Sequence, residues 1–257
     1  MTNTTEDQRP MPDLLQLDLS DLRAALRAGW QDFRAAPFYG LFFAGVYVLG
    51  GWLITWALTA DGQIWWTLVA GAGFPILGPF IACGFYEVSR RLEHGQPLDW
   101  PGVLSAVWRQ KHSQIPTMAA IIVVFFLFWN FLAHMIFALF LGTATLTNIS
   151  SSLEVFVTPD GLVMLAVGTI TGAIFAAVLF ALTVVSLPLL LDREVDFITA
   201  MICSWSLVLA NPGVMLVWAT LIAASLFLGM LTGFLGLFVV LPLFGHATWH
   251  LYRRALE

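Results

Sequence analysis

Apolar residues run almost unbroken through 38–58, 64–86, 115–141, 162–191 and 213–244. Each of the first four stretches is long enough, at about 1.5 Å per helical residue, to cross a hydrocarbon layer of roughly 30 Å. The last would make a straight helix of about 48 Å, too long for one span. Gly229, Gly233 and Gly236 offer a tight hairpin inside it, so helices over about 213–230 and 234–251 are expected. Between these runs lie shorter segments of helical periodicity. In the first, Leu22, Ala25, Leu26, Gly29, Trp30 and Phe33 recur at helical spacing among Arg23, Arg27, Asp32 and Arg34. A second places Val103, Leu104, Val107 and Trp108 beside Arg109, Lys111 and His112. A third, 197–209, is more apolar and is expected to pack against the bundle. An aromatic-rich stripe suits the headgroup boundary, where a Trp ring is buried and its N–H finds a polar partner.

The three short helices carry one pattern. Asp21, Trp30 and Pro37 recur as Asp99, Trp108 and Pro116, and again as Asp196, Trp205 and Pro212. Spacings that match at equivalent places in the hydrophobic pattern indicate an internal repeat. Proline at the start of a helix loses no intrahelical donor, so Pro37, Pro116 and Pro212 each let a short helix turn into a long one. Pro79, Pro188 and Pro242 sit late in the second long helix of each unit, where a fixed kink is expected and a gate is the alternative. The expected fold is therefore an all-α membrane protein of six transmembrane helices, arranged as three internally repeated hairpins, each preceded by a short amphipathic helix. A flexible leader, 1–18, precedes a single membrane domain, 19–257, with repeats at about 19–95, 96–195 and 196–257.

Composition agrees with a chain solvated largely by lipid: 59% of the 257 residues are hydrophobic and 11% are charged. Charge then orients it. All eleven Lys and Arg residues fall outside the turns that separate paired apolar segments. Placing them on the cytoplasmic side requires an even number of spans and puts both termini there. The opposite turns hold Asp61, Glu154 and Asp160. The leader has no early basic-then-apolar signal, and a bacterial inner membrane is the expected location. The connection 142–161 is expected to be an ordinary external loop, with room for a short interfacial helix near Ser151. The net charge of −5, without a concentrated basic field, disfavours nucleic acid as a partner.

Few residues offer chemistry. Asn130 and His134 share one face of the third span and form a candidate intramembrane polar site; burial against protein or water is expected, for interhelical hydrogen bonding or, alternatively, a substrate path or proton relay. His246 and His250, also four apart, form with Glu87 a candidate site at the cytoplasmic boundary. Boundary hydrogen bonding is the plain reading, and a shared zinc or iron site the alternative. Glu87, Arg90, Arg91, Glu93 and His94 read as a polar helix end. Asp192, Arg193, Glu194 and Asp196 form a charged junction whose acids are placed to pair with Arg of the earlier repeats. Cys83 and Cys203 read as packed thiols, and Gly168/Gly172 and Gly229/Gly233 as close-packing pairs with oligomer contact as a second use. No nucleotide loop, heme-attachment motif, zinc-protease motif or nucleophilic triad is present, and no cofactor is expected.

Gly78-Pro79-Phe80-Ile81-Ala82-Cys83-Gly84-Phe85-Tyr86-Glu87-Val88-Ser89-Arg90-Arg91 and Leu241-Pro242-Leu243-Phe244-Gly245-His246-Ala247-Thr248-Trp249-His250-Leu251-Tyr252-Arg253 resemble an uncharacterised bacterial integral-membrane family, domain of unknown function 2189. The resemblance extends over nearly the whole chain from about Leu19. Some members are labelled as cytochrome c oxidase components, which implies association with a respiratory oxidase. An oxidase catalytic subunit needs several His ligands across its helices, and here only His134 lies deep in an expected span. The reading is a non-enzymatic inner-membrane accessory, structural or assembly protein, with lipids, other membrane proteins such as oxidase subunits, and other copies of itself as partners. A small-molecule transporter and a heme- or metal-binding redox protein are the alternatives.

Overall fold

The computed structural model describes residues 14–61, 64–142 and 156–256, with side chains described outside 57–76. The described residues form ten α-helices, one 3-10 turn and no strand. In order they are α1 (Leu19–Ala35), α2 (Pro37–Asp61), α3 (Ile64–Glu93), α4 (Trp100–Arg109), α5 (Ile115–Leu141), α6 (Pro159–Thr183), α7 (Ser186–Asp192), α8 (Phe197–Ala210), α9 (Pro212–Leu231) and α10 (Leu237–Ala255); the 3-10 turn is Gln110–His112. Among the described residues four segments are long and apolar enough to cross a membrane: Pro37–Trp56, Ile115–Leu141, Pro159–Asp192 and Pro212–Leu231. The expected interfacial helix near Ser151 and residues 1–13 of the leader lie outside the described residues.

Each short helix begins on an aspartate, because its carboxylate satisfies first-turn N–H groups that have no helical acceptor. Asp99 accepts from the Gly102 N–H and Asp196 from the Thr199 N–H. In α1 the cap is Asp18, and Asp21 closes a capping box by accepting from the Asp18 N–H. Leu22, Ala25, Gly29 and Phe33 make the buried face of α1. That face packs on α10: a Cβ at Gly29 would lie 2.5 Å from the Ala247 backbone nitrogen, so only glycine permits this approach. Asp21 reaches Arg254 while Gly29 meets Ala247, so α1 and α10 run in opposite directions. Continuing past Pro37, α2 keeps company with α10, and Gly84 of α3 seats the Phe43 ring of α2. α10 packs against α2, α3 and α9, and α3 also packs against α5.

The expected loose leader ends sooner than residue 18. Leu14 bridges to Leu256, the Leu15 N–H donates to the Ala255 carbonyl, and the Leu17 N–H donates to the Asn211 side chain at 2.7 Å. Asn211 is buried and donates back to the Leu15 and Leu207 carbonyls, so one amide fastens residues 14–18 to the α8–α9 corner.

The α9–α10 hairpin turns later than glycine spacing suggests. α9 continues to Leu231 and α10 starts at Leu237, because the tight residues are Gly233 and Phe234, both at positive φ. The Phe234 ring lies over Gly51, and Trp52 Nε1 donates to the Gly233 carbonyl at 2.8 Å, holding a conformation that a Phe backbone otherwise avoids. Gly233 is thus a turn residue rather than half of a packing pair. Gly172 does act in packing, under the Trp129 ring, whereas a Cβ at Gly168 would meet open space among the described residues.

The long apolar helix that ends at Asp192 is broken at Val184 and Val185, just ahead of Pro188. There the hydroxyl of Ser204, from α8, inserts between a helical donor and its usual acceptor: it accepts from the Val185 N–H at 3.2 Å and donates to the Ala181 carbonyl at 2.7 Å. A side chain inserted in the ladder is one of the identifiable causes of a kink. Pro79 and Pro242, by contrast, lie within helices that continue through them.

Candidate functional site

The polar residues of the chain converge where α3 and α10 end. Glu87 is almost wholly buried, at 1% exposure, and is gripped from one helical turn away. Arg90 donates through Nε to Oε2 at 2.9 Å and through Nη2 to Oε1 at 3.1 Å, while Arg91 Nε donates to Oε1 at 2.7 Å. Arg91 extends the chain of charge, donating through Nη1 to the Pro97 carbonyl and to Asp99 Oδ1. Because Asp99 also caps α4, this one guanidinium fixes the start of the second short helix to the end of α3.

α10 supplies the rest. His246 is buried with its Nδ1 2.8 Å from Ser89 Oγ and its ring edge-on to Phe85. Its Nε2 is buried with no hydrogen-bond partner among the described residues. His250 Nε2 lies 2.7 Å from Asp32 of α1, and Arg254 meets Asp21 at 3.2 Å. Trp249 Nε1 and Arg253 Nε both donate to Glu93. Burial opposes ionisation of Glu93, but these two donors and the Arg253 charge outweigh it and hold the carboxyl below the usual glutamate range. Tyr252 donates to Asp192 at 2.7 Å, and burial followed by that bond pushes its phenol upward. Five helices, α1, α3, α4, α7 and α10, are thereby joined by ionic and hydrogen-bonded side chains.

His246 and His250 do not share a ligand, since one ring turns to Ser89 and the other to Asp32. Among the described residues no group of three or more His, Cys, Asp or Glu side chains is arranged to hold a metal ion. Asn130 and His134 likewise turn back on their own helix. Asn130 Nδ2 donates to the Phe126 carbonyl and His134 Nδ1 lies 2.7 Å from the Asn130 carbonyl. His134 is exposed and Asn130 half-buried, and among the described residues neither makes the interhelical hydrogen bond that the sequence suggested. A helical carbonyl four residues back is within reach of either side chain, so neither needs a neighbour to satisfy it. Cys83 and Cys203 are buried free thiols.

The Trp and Pro positions of the expected repeat occupy defined places. Trp30, Trp108 and Trp205 are all exposed, at 42%, 68% and 38%. Lys111 stands 4.1 Å over the Trp108 ring. Pro37 and Pro212 open α2 and α9, and Pro116 is the second residue of α5. The segment that holds Glu87, its two arginines and the start of α4 is also the one that relates this protein to others. The chain is similar over this segment to DUF2189, a family of predicted integral membrane proteins. The match to DUF2189 covers residues 67–192, from within α3 to the end of α7. It includes Glu87, Arg90, Arg91, Asn130, His134 and Asp192, and it is narrower than the resemblance implied, since it leaves out the α10 ending. No curated protein and no solved structure matches the chain.

Three residues central to the architecture were not among the sequence candidates: Asn211, Ser204 and, as a partner of His250, Asp32. Asp32 had a signal, an acid on the flank of an otherwise basic amphipathic helix. The other two are ordinary polar residues at a helix end and on a helix face, and only tertiary placement gives them partners.

Proposed function

We propose that this protein is a non-enzymatic inner-membrane accessory or assembly protein that recognises another membrane protein through its boundary helices and its lipid-facing spans. The observation that carries this reading is the fate of the ionisable groups. Glu93, Asp21, Asp32, Asp99 and Asp192 are each engaged by Arg, His, Trp or Tyr of another helix, and Glu87 holds Arg91 of its own helix, which in turn reaches Asp99. Side chains used in this way build a scaffold rather than a reaction site. The outward surface of α5 is correspondingly apolar and uncovered: Val124, Leu127, Phe128, Phe131, Met135 and Leu139 are all exposed. Association with a respiratory oxidase is the specific form of the reading that the family resemblance suggests.

The accompanying topology has six spans, with α3 and α10 as the second and sixth, and both ends in the cytoplasm. Burial at repeat-equivalent positions supports it. Ala25, Val103 and Ala200, each four residues after the repeated aspartate, are fully buried, whereas the tryptophans nine residues after it are exposed. Copurification from native membranes in mild detergent tests the function, with a defined membrane partner, oxidase subunits first, expected in the eluate. Recovery only as an isolated monomer across several gentle extraction conditions and growth states would overturn it. A second reading, small-molecule transport, draws on a cavity of about 180 Å³ among α2, α3, α9 and α10, into which Tyr47, Tyr86 and Thr248 bring hydroxyls. Solute flux in reconstituted vesicles, absent in this reading's failure, distinguishes it.

A further inference from the structure

α1 sorts its charges by side. Asp21 and Asp32 flank its buried face and pair with Arg254 and His250 of α10. Arg23, Arg27 and Arg34 take the other flank, at positions i, i+4 and i+11, and Trp30 at i+7 completes one stripe about 60° wide at 100° per residue. All four side chains are exposed, and the three arginines meet no carboxylate among the described residues. This is unlike Arg90, Arg91, Arg253 and Arg254, which are all ion-paired. At the matching positions of α8 the same exposed stripe reads Ile198, Ile202, Trp205 and Leu209. One surface of the repeat is therefore cationic around its tryptophan in the first helix and wholly apolar around it in the third.

We propose that the Arg23–Arg27–Trp30–Arg34 stripe is a binding surface for anionic phospholipid headgroups, while the α8 stripe meets lipid without regard to headgroup charge. Guanidinium groups take phosphate oxygens through paired N–H donors, and Trp settles at the same depth as the headgroup, so the residue types and their interleaving match one ligand. The inference rests on the boundary placement of the short helices proposed above. Near an anionic surface each arginine contributes about fivefold in affinity.

The test uses the full-length protein in vesicles of phosphatidylcholine mixed with phosphatidylglycerol, one or the other brominated near the headgroup end of its acyl chains. Comparison of wild type with Trp30→Phe isolates quenching at Trp30, and Trp205→Phe isolates quenching at Trp205. The expected result is several-fold stronger quenching of Trp30 by brominated phosphatidylglycerol than by brominated phosphatidylcholine, weakened by salt, and equal quenching of Trp205 by both. Arg23→Gln/Arg27→Gln/Arg34→Gln removes the preference at Trp30, whereas the three Arg→Lys changes keep most of it; retained Trp205 quenching reports that the variants are folded. Equal quenching of Trp30 by both lipids, or a preference that survives the glutamine changes, overturns the headgroup site alone. Absence of quenching at both rings in every lipid overturns the boundary placement along with it.

Discussion

Ser204→Ala tests the account of the broken helix most directly. In the native protein one hydroxyl serves the Val185 N–H and the Ala181 carbonyl, which a regular helix would join to each other. Both bonds are buried. Removing the hydroxyl leaves a choice between two unsatisfied backbone groups and a straightening that Pro188 resists, because its ring crowds the carbonyl four residues back and it has no N–H to offer. Each orphaned buried group costs about 1–3 kcal/mol in soluble proteins, whereas side-chain hydrogen bonds within membranes average nearer 0.6 kcal/mol. A loss of about 2 kcal/mol follows, or a fall of roughly 4–8 °C in the midpoint of a chain this size. The assay is thermal unfolding of the detergent-solubilised protein, followed by intrinsic fluorescence and by recovery on size exclusion. Pro188→Ala supplies the second arm: with an N–H at 188 the helix can close, so the double variant should lose about 1 kcal/mol less than the sum of the two singles. A Ser204→Ala midpoint within about 1 °C of wild type, together with additive singles, would show that the hydroxyl does not hold the break and would refute the argument.

Three further outcomes are expected. Gly29→Leu forces side-chain atoms into the Ala247 backbone, so α1 should lift from α10, seen as new protease cleavage within residues 19–35 at a stability cost of about 1–3 kcal/mol. Glu87→Gln leaves Arg90 and Arg91 without their shared anion and should cost about 3 kcal/mol, the low end for a broken buried pair because Arg90 can reach water; an unchanged midpoint would mean that the pair contributes nothing net. Glu93, held below the ordinary glutamate value of 4.5, binds its proton more weakly folded than unfolded; its stabilisation is therefore complete above that value and disappears as pH falls through the folded one. Glu93→Gln should accordingly flatten the acid limb of a stability-against-pH curve, and an acid limb identical to wild type would count against the Trp249 and Arg253 bonds.

Helix positions were readable because they depend on local pattern: apolar runs of spanning length, aspartate caps and proline at the first turn all act within a few residues. What covers a helix face does not. The periodicity of α1 placed Trp30 with Leu22 and Phe33 on one apolar stripe, yet only the Leu22–Ala25–Gly29–Phe33 face is buried, leaving Trp30 at the edge beside the arginines. Asn130 and His134 drew attention as polar residues in an apolar helix, but a local carbonyl was sufficient for each. The boundary cluster was only half legible. The residues of its α3 end stood out as a charged run, whereas pairing Asp32 with His250 or Asp192 with Tyr252 requires knowing which helices are neighbours across more than fifty residues of sequence.

The seat of α1 on α10 also sets an order of events during synthesis. Asp21 and its partner Arg254 are 233 residues apart, so α1 is made long before the surface that covers it. Until α10 arrives, the notch at Gly29 lacks the Ala247 backbone that fills it, and the acids that later bind His250 and Arg254 are unneutralised. Contacts this distant along the chain form late and leave apolar surface waiting. A change confined to α10, such as enlarging Ala247, would therefore be felt first as failure of the opening helix to dock.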